Sequence, residues 1–245
     1  MEIRVEQLGK IYPDGTRAID GISFKLSPGE QVTLIGPNGC GKSTLMKCLI
    51  GLEPPTAGAI RMDALDLTAL RGRALRRLRA RIGCVFQQMN LVPNLSVIQN
   101  VLFGAMGRLG YWRTLDLTAS AALRAQAMSA LERVGLADLG GRRTAHLSGG
   151  QQQRVAIARM LMQDARVVIV DEPVASLDPR AAAEVMDLLC EIVEERGMSL
   201  ICILHQMDLV ARYARRLVGM RAGRIEFDLP ADQCPGERIE ALYRS

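Results

Sequence analysis

The sequence has few aromatic residues, few histidines and no long apolar run. The scarcity of histidine argues against a metal site, and the lack of a long apolar run argues against a membrane-spanning segment. Aromatic residues make up 4% of the 245 residues, and there are two histidines. None of the six cysteines forms a Cys-x-x-Cys pair, so we expect reduced, buried thiols rather than disulfides or a zinc site. No apolar run reaches the roughly 20 residues that cross a bilayer, and we expect no secretory signal because residues 1–6 begin no apolar segment. At a membrane, another protein would have to hold this chain.

The charge balance is mildly basic, with a net charge of +5. A solvated basic surface is the favoured interpretation, and an anionic membrane surface or nucleic acid are the alternatives. Arginines recur between positions 71 and 82, with apolar residues interleaved at helical spacing. This pattern predicts an amphipathic helix with a solvated face, and lipid head groups are the second interpretation. The arginines are Arg71, Arg73, Arg76, Arg77, Arg79 and Arg81, and the apolar residues are Leu75, Leu78 and Ile82.

Two kinds of strand pattern predict an α/β fold with two sheet types. Residues 3–5 and 22–26 alternate between apolar and polar, which is typical of half-buried antiparallel strands. Residues 32–35, 167–170 and 200–204 are almost continuously apolar, as in parallel strands covered by helices on both faces. Two further strands flanking residues 221–223 predict a hairpin near the C-terminus, followed by only a short tail.

Residues 88–164 have a helical pattern and predict a helical insertion in the α/β core, which then comprises residues 1–87 and 165–245 of a single cassette. Residues 119–134 are rich in helix formers, and Ser148 precedes another helix as an N-cap. The apolar face expected for the first helix consists of Leu123, Ala127, Ala130, Leu131 and Val134.

The motif Gly-x-x-x-x-Gly-Lys-Ser at positions 36–43 predicts a site for nucleoside triphosphate. It follows an apolar strand and precedes a helix expected to present Leu45, Leu49 and Leu52 on one face. Such a loop wraps phosphates with backbone N–H groups, its lysine reaches the β and γ phosphates, and its serine ligates Mg²⁺. The expected nucleotide-binding residues are Gly36, Pro37, Asn38, Gly39, Cys40, Gly41, Lys42, Ser43 and Thr44.

Two carboxylates end the apolar strand at 167–170. Asp171 is predicted to hold the Mg²⁺ shell, and Glu172 to act as the general base for an attacking water. Because Pro173 follows, an acid pair at a helix N-terminus is the structural alternative.

A second predicted phosphate cradle lies at positions 147–151, Leu-Ser-Gly-Gly-Gln. Ser148 and the N–H groups of Gly149 and Gly150, followed by Gln151, stand at a helix start. An ordinary serine-capped helix is the structural alternative. One chain hardly needs two cradles for one γ-phosphate, so we predict that two copies pair head to tail and each completes the other's site.

In order along the chain, these motifs resemble the ATP-binding cassette of ABC transporters. The resemblance rests on residues 36–43, Gln87, residues 147–151, Asp171 with Glu172, Ser176 to Asp178, and His205. It implies a phosphate-loop NTPase (RecA-like) core with a mostly parallel sheet, an N-terminal antiparallel β subdomain and a helical subdomain insertion. It also implies the following roles: Gln87 contacts Mg²⁺ and water, Asp178 communicates across a dimer, His205 contacts the γ-phosphate, and Tyr12 stacks on adenine.

Residues 86–92, 171–178 and 205–209 are similar to those of the phosphonate importer ATPases within this family. Val174-Ala-Ser176 departs from most cassettes, which place Thr-Ser-Ala or Thr-Ala-Ala after Asp-Glu-Pro. Met89 departs from the phosphonate importer ATPases, where phenylalanine is expected at this position. The resemblance implies an ATPase with ATP and Mg²⁺, a second copy, integral membrane permease subunits and a solute-binding protein as partners, and no nucleic acid. It implies a peripheral location at the cytoplasmic face of the inner membrane.

Three alternatives remain open: a cassette for another solute, a cassette for lipoprotein release, and a soluble ABC ATPase acting on nucleic acid or ribosomes. An apolar strip after Gln87 is expected to supply the permease docking surface, with most of its residues in the core and a few exposed. The strip consists of Met89, Leu91, Val92, Leu95, Val97, Val101, Leu102 and Phe103.

Overall fold

The computed structural model of the chain describes residues 1–175 and 177–244. These residues form two compact units, each built from separate stretches of the chain. The first unit contains residues 1–75, residues 169–172 and the described residues from 197 onward. The second contains residues 76–168 and 173–196.

Strands and helices are interspersed after an initial run of three strands, and four α-helices follow one another in the middle of the chain. The strands are β1 (Ile3–Ile11), β2 (Arg17–Leu26), β3 (Gln31–Ile35), β4 (Ala57–Met62), β5 (Leu65–Asp66), β6 (Ile82–Val85), β7 (Val167–Asp171), β8 (Ser199–Ile203), β9 (Arg216–Arg221) and β10 (Arg224–Pro230). The helices are α1 (Lys42–Leu49), α2 (Gly72–Arg79), α3 (Val97–Leu102), α4 (Met106–Leu109), α5 (Ala121–Arg133), α6 (Gly149–Leu161), α7 (Pro179–Glu195), α8 (Met207–Tyr213) and α9 (Gly236–Tyr243).

An antiparallel sheet with strand order β2-β1-β4-β5 lies in the first unit. Ile3 pairs with Leu26 and Val5 with Phe24, and all four side chains are buried while their neighbours along the strands are exposed. Alternation of this kind places one face of a sheet on the core. The predicted antiparallel strands are therefore confirmed.

A six-stranded sheet has the order β10-β9-β3-β8-β7-β6. Strand β3 runs parallel to β8 and β9, and every residue of β3 and β8 is buried. Strands β9 and β10 form the predicted hairpin, with Ala222 at φ 46° and Gly223 at φ 79° between them. Two successive residues with positive φ are typical of a type I′ turn, whose twist suits a two-residue hairpin.

Helices α3, α5 and α6 pack against one another in the second unit. The predicted apolar face of α5 is confirmed, because every member of it is buried. These side chains are Leu123, Ala127, Ala130, Leu131 and Val134.

Two details of the predicted helices are wrong. Helix α1 ends at Leu49, Gly51 adopts a left-handed φ of 67°, and Leu52 is 56% exposed instead of extending the apolar face. Ile82 is buried in β6 and not on the arginine-rich helix, because α2 ends at Arg79. Of the cysteines, Cys40, Cys48 and Cys202 are buried and the other three are half-buried, and none of these six described residues forms a disulfide. Ser176, part of the motif at 176–178, lies outside the described residues.

Candidate functional site

The nucleotide loop begins where buried strand β3 ends. Gly36 has φ 146°, and a Cβ atom there would come within 2.1 Å of the Met220 carbonyl oxygen. Only glycine fits this approach of two backbones. The Lys42 side chain is buried, and its Nζ donates hydrogen bonds to the carbonyl oxygens of Gly36 at 2.7 Å and Pro37 at 3.0 Å. The loop thus holds an ammonium group beside its own backbone.

Ser43, in the first turn of α1, hydrogen-bonds through its side chain to Asp171 at the end of β7. Burial raises the pKa of Asp171, and the neighbouring Glu172 charge adds to this rise, whereas the hydrogen bond with Ser43 lowers it. A hydroxyl and a partly buried carboxylate in contact are the hard oxygen donors that suit Mg²⁺. The residues present therefore fit the predicted metal.

Glu172 and His205 are in direct contact. His205 Nε2 lies 2.7 Å from Glu172 Oε1, and the two side chains are 27% and 25% exposed. Glu172 has φ 48°, a left-handed conformation that is uncommon for a non-glycine residue, and its N–H donates to the Ile203 carbonyl at 3.3 Å. The site therefore holds its candidate base on a strained backbone, oriented by an imidazole that solvent can reach.

Tyr12, the predicted adenine platform, is half-buried next to helix α1. Its hydroxyl lies 3.3 Å from Thr44 Oγ1, and the Lys10 ammonium is 5.1 Å from its ring centroid. The first unit thereby brings together Tyr12, the 36–44 loop, Asp171, Glu172 and His205.

The remaining predicted residues belong to the second unit. Ser148 is the N-cap of α6: its Oγ accepts the Gln151 N–H at 3.3 Å, and Gln151 Oε1 accepts the Ser148 N–H at 3.0 Å. The predicted N-cap is therefore confirmed. Because Ser148 Oγ acts as an acceptor here, its O–H remains able to donate to an anion.

The start of α6 lies against the start of α7. A Cβ atom on Gly149 would lie 3.2 Å from Leu177, and one on Gly150 would lie 3.9 Å from Ala181. Asp178 caps α7 by accepting the N–H groups of Arg180 and Ala181 at 3.1 and 3.0 Å. Two helix N-termini, each with a partial positive charge, are thus neighbours on one surface.

Gln87 is exposed and lines a cavity of about 400 Å³ within the second unit. Arg159 of α6 fixes the loop beyond it by donating to the carbonyl oxygens of Met89 at 2.6 Å and Asn90 at 2.7 Å. Burial lowers the pKa of Arg159 and raises the pKa of the nearby Cys84 thiol to about 12.

We did not predict from the sequence that Arg159 fixes the loop at residues 89–90. The available signal was a charged residue within the apolar run at 155–161, because such residues are seldom buried without partners.

Among the described residues, none of the helices combines the length and the apolar character needed to cross a membrane.

Comparison with known proteins identifies the family of the chain. The ABC transporter family matches residues 19–175. A phosphonates import ATP-binding protein of Nocardia farcinica is 48% identical over 229 residues, which cover 94% of this chain and 85% of the relative. A phosphate-import ATP-binding protein of Mycolicibacterium smegmatis is 47% identical over 229 residues, covering 94% of this chain and 87% of the relative.

A solved structure gives the same result for the fold. The dimeric ATP-binding cassette MJ0796, in a post-hydrolysis state bound to ADP and Pi, superimposes with a TM-score of 0.82 at 30% identity. The superposition covers 94% of this chain and 98% of that chain. The predicted phosphate-loop NTPase fold and the predicted family are confirmed, and the chain belongs to the ABC transporter family.

Proposed function

We propose that this chain is the ATP-binding and ATP-hydrolysing subunit of an importer for phosphonates or a related oxyanion. The observation that carries the ATP-hydrolysing part of this proposal is the contact between Glu172 and His205 at 2.7 Å, next to Asp171 and within the unit that holds the Lys42 loop. The names of the relatives, for phosphonates import and phosphate import, support the solute. A general base, a γ-phosphate sensor and a phosphate-binding lysine are then present in one unit.

In this mechanism the backbone N–H groups of the 36–44 loop and the Lys42 ammonium bind the β and γ phosphates. Glu172 accepts a proton from the water that attacks the γ phosphorus, while the bond from the γ phosphorus to the bridging oxygen breaks and ADP leaves. His205 orients the Glu172 carboxylate and contacts the γ-phosphate. Ser43, Asp171 and Gln87 would hold Mg²⁺, which neutralises charge on the phosphates when bound. Tyr12 provides the ring on which adenine stacks.

Two copies share each ATP in this proposal. Ser148, Gly149, Gly150 and Gln151 of one copy, together with Asp178, complete the site of the other. The support is the surface on which the N-termini of α6 and α7 meet, because N–H groups at helix starts bind anions. The dimeric form of the cassette bound to ADP and Pi is a second support for a homodimer.

The proposed permease docking surface is the groove lined by Gln87, Met89, Leu91, Thr144 and Gln152. Part of the predicted strip is core, because Val97, Val101 and Leu102 are fully buried. Val92 is 42% exposed, so the strip also offers the apolar surface that a partner helix requires. The Val92 backbone is fixed by the buried side chain of Asn100, whose amide pairs with both the Val92 N–H and its carbonyl.

The same helix holds a second exposed segment, which contains an aromatic residue. Gln99, adjacent to Asn100 on α3, donates to the Thr114 carbonyl at 2.9 Å and accepts the Asp116 N–H. The segment so fixed presents Trp112 at 74% and Leu117 at 95% exposure. Tryptophan is among the residues that contribute most to protein–protein binding.

Docking to permease subunits would place the chain at the cytoplasmic face of the inner membrane as a peripheral subunit. A solute-binding protein on the opposite side of the membrane would signal to this chain through the permease. The chain is not expected to bind nucleic acid.

The solute is tested with the complex reconstituted in liposomes. We expect binding protein loaded with an alkylphosphonate to raise the ATPase rate, and Glu172→Gln to abolish the rise. Inorganic phosphate is the second candidate solute, because the relative from Mycolicibacterium smegmatis is named for phosphate import. A complex that ignores phosphonate, phosphite and phosphate but responds to an amino acid or a lipoprotein would contradict the oxyanion proposal.

A further inference from the structure

Tyr243, at the end of α9, contacts the first residue of the nucleotide loop. The Gly36 N–H donates a hydrogen bond to the Tyr243 hydroxyl oxygen at 3.1 Å. Tyr243 is 38% exposed, so most of its ring is covered. Burial raises the pKa of Tyr243, so the hydroxyl stays neutral at physiological pH.

Helix α9 is anchored to the β9–β10 hairpin by two contacts. The Arg238 guanidinium lies 5.6 Å from the ring centroid of Phe227, and Arg221 donates to the Ala241 carbonyl at 3.5 Å. The Leu242 side chain of α9 is also buried. The helix is therefore a fixed support that holds the Tyr243 hydroxyl against the loop.

Gly36 is fixed through both of its peptide groups. Its N–H is bonded to Tyr243, and its carbonyl accepts the Lys42 Nζ hydrogen bond at 2.7 Å. With φ at 146°, Gly36 occupies a region that only glycine populates readily, and glycine has little conformational preference of its own. Its orientation therefore depends on these two bonds.

We propose that Tyr243 is a positioning residue for ATP binding, which keeps Gly36 oriented when Lys42 engages the phosphates. The proposal rests on the phosphate-binding role assigned to Lys42 above. When the ammonium binds the β and γ phosphates, the Gly36 carbonyl loses this donor. The Tyr243 hydroxyl then carries more of the constraint on Gly36, so its removal penalises the ATP-bound form more than the unbound form.

The test is Tyr243→Phe in the full chain, which removes the hydroxyl and keeps the ring. We expect the dissociation constant for ATP to rise by about two- to tenfold, with one net hydrogen bond as the upper limit of the difference between the bound and unbound forms. The KM for ATP should rise by a similar factor while kcat at saturating ATP stays within about twofold, as for uniform binding lost from both ground and transition states. The matched control is Tyr111→Phe, because Tyr111 is an exposed tyrosine of the other unit. It should leave the dissociation constant and the KM for ATP unchanged.

A lower melting temperature of Tyr243→Phe with an unchanged ATP dissociation constant would mean that the hydroxyl only stabilises the fold, and would overturn the proposal. Lys42→Ala separates this failure from a failure of the proposed function. If Lys42→Ala still binds ATP like the wild type, the assignment of the loop is wrong. If Lys42→Ala loses ATP and Tyr243→Phe does not weaken it, the positioning role alone is wrong.

Discussion

Glu172 has a left-handed backbone conformation, which costs an L-residue about 1–2 kcal/mol. The conformation is held by the bond from its N–H to Ile203 and by the contact between its carboxylate and His205. Strain of this size at a chemically competent residue is expected where the direction of a side chain matters more than stability. It is consistent with Glu172 as the general base.

Replacing the base tests its role directly. We expect Glu172→Gln to lower the rate of ATP hydrolysis by about 10²–10⁴-fold, because the amide cannot accept the proton of the attacking water. ATP binding should be retained, since glutamine keeps the size and backbone of the site. Steady-state phosphate release and equilibrium binding of labelled ATP measure the two effects. Wild-type turnover in the variant would contradict the assignment.

Asp171 is expected to reduce the stability of the fold at neutral pH. Because its folded-state pKa is raised, the wild-type chain gains stability below the unfolded pKa of aspartate and loses it as the pH rises through the folded value. Asp171→Asn does not titrate, so its melting temperature should exceed that of the wild type at pH 7, with a difference that shrinks as the pH falls. A variant less stable than the wild type at pH 7 would show that charge pairing outweighs burial here. The same variant should lose ATP hydrolysis.

Tyr12 is expected to contribute through its ring. Tyr12→Ala should weaken ATP binding by about 1–3 kcal/mol, the usual contribution of a base stacked on an aromatic side chain. Tyr12→Phe should be nearly silent, because the hydroxyl makes only a 3.3 Å contact with Thr44. Titration of both variants with ATP is the measurement. An unchanged dissociation constant in Tyr12→Ala would place adenine elsewhere.

Among the elements of the second unit, the turn after α3 packs against α6 so closely that a single methyl group matters. A Cβ atom on Gly104 would lie 2.0 Å from the Arg159 carbonyl oxygen and 2.8 Å from Met162 Cβ. We expect Gly104→Ala to lower the free energy of unfolding by about 1–3 kcal/mol or more. Gly141→Ala is the control, because a Cβ there meets nothing within 4 Å, and it should change stability by less than about 0.5 kcal/mol. Urea denaturation of both variants measures the change in the free energy of unfolding. A Gly104→Ala variant as stable as the wild type would show that the neighbouring backbone adapts to the added methyl group.

The sequence alone was sufficient to predict a strand or the start of a helix where one residue pattern dominates. Alternation identified β1 and β2, continuous apolar runs identified β3 and β8, and a serine before two glycines identified the start of α6. Leu52 was misplaced because apolar periodicity continues past Gly51, where the backbone turns left-handed and ends the helix. Ile82 was misplaced for a similar reason, since helical spacing runs on from α2 into β6.

Contacts between residues far apart in sequence could not be predicted in this way. The bond between Gly36 and Tyr243 joins positions 207 residues apart, and nothing in the residues around Tyr243 marks it. The bonds from Arg159 to the loop at 89–90 depend on the packing of α6 within the second unit. The spacing of motifs predicts which residues bind ATP, but not which residues hold them in position.

At the scale of the whole molecule, two chains share each nucleotide in the proposed mechanism. One set of predicted site residues lies in the first unit, with the Lys42 loop and Glu172, and another lies in the second, with Ser148 and Asp178. Head-to-tail pairing would let both sets act on one ATP. ATP should therefore act as the link between two copies, and a chain that cannot hydrolyse it should stay paired.

The mass of Glu172→Gln in the presence of ATP and Mg²⁺, measured by light scattering after size exclusion, tests this claim most directly. We predict a dimer of twice the 26.8 kDa chain with ATP and a monomer without it. Adding Ser148→Arg places a bulky cation at the start of α6, and this double variant should bind ATP yet remain a 26.8 kDa monomer. A double variant that still dimerises with ATP, or a Glu172→Gln chain that binds ATP and stays monomeric, would contradict the shared site.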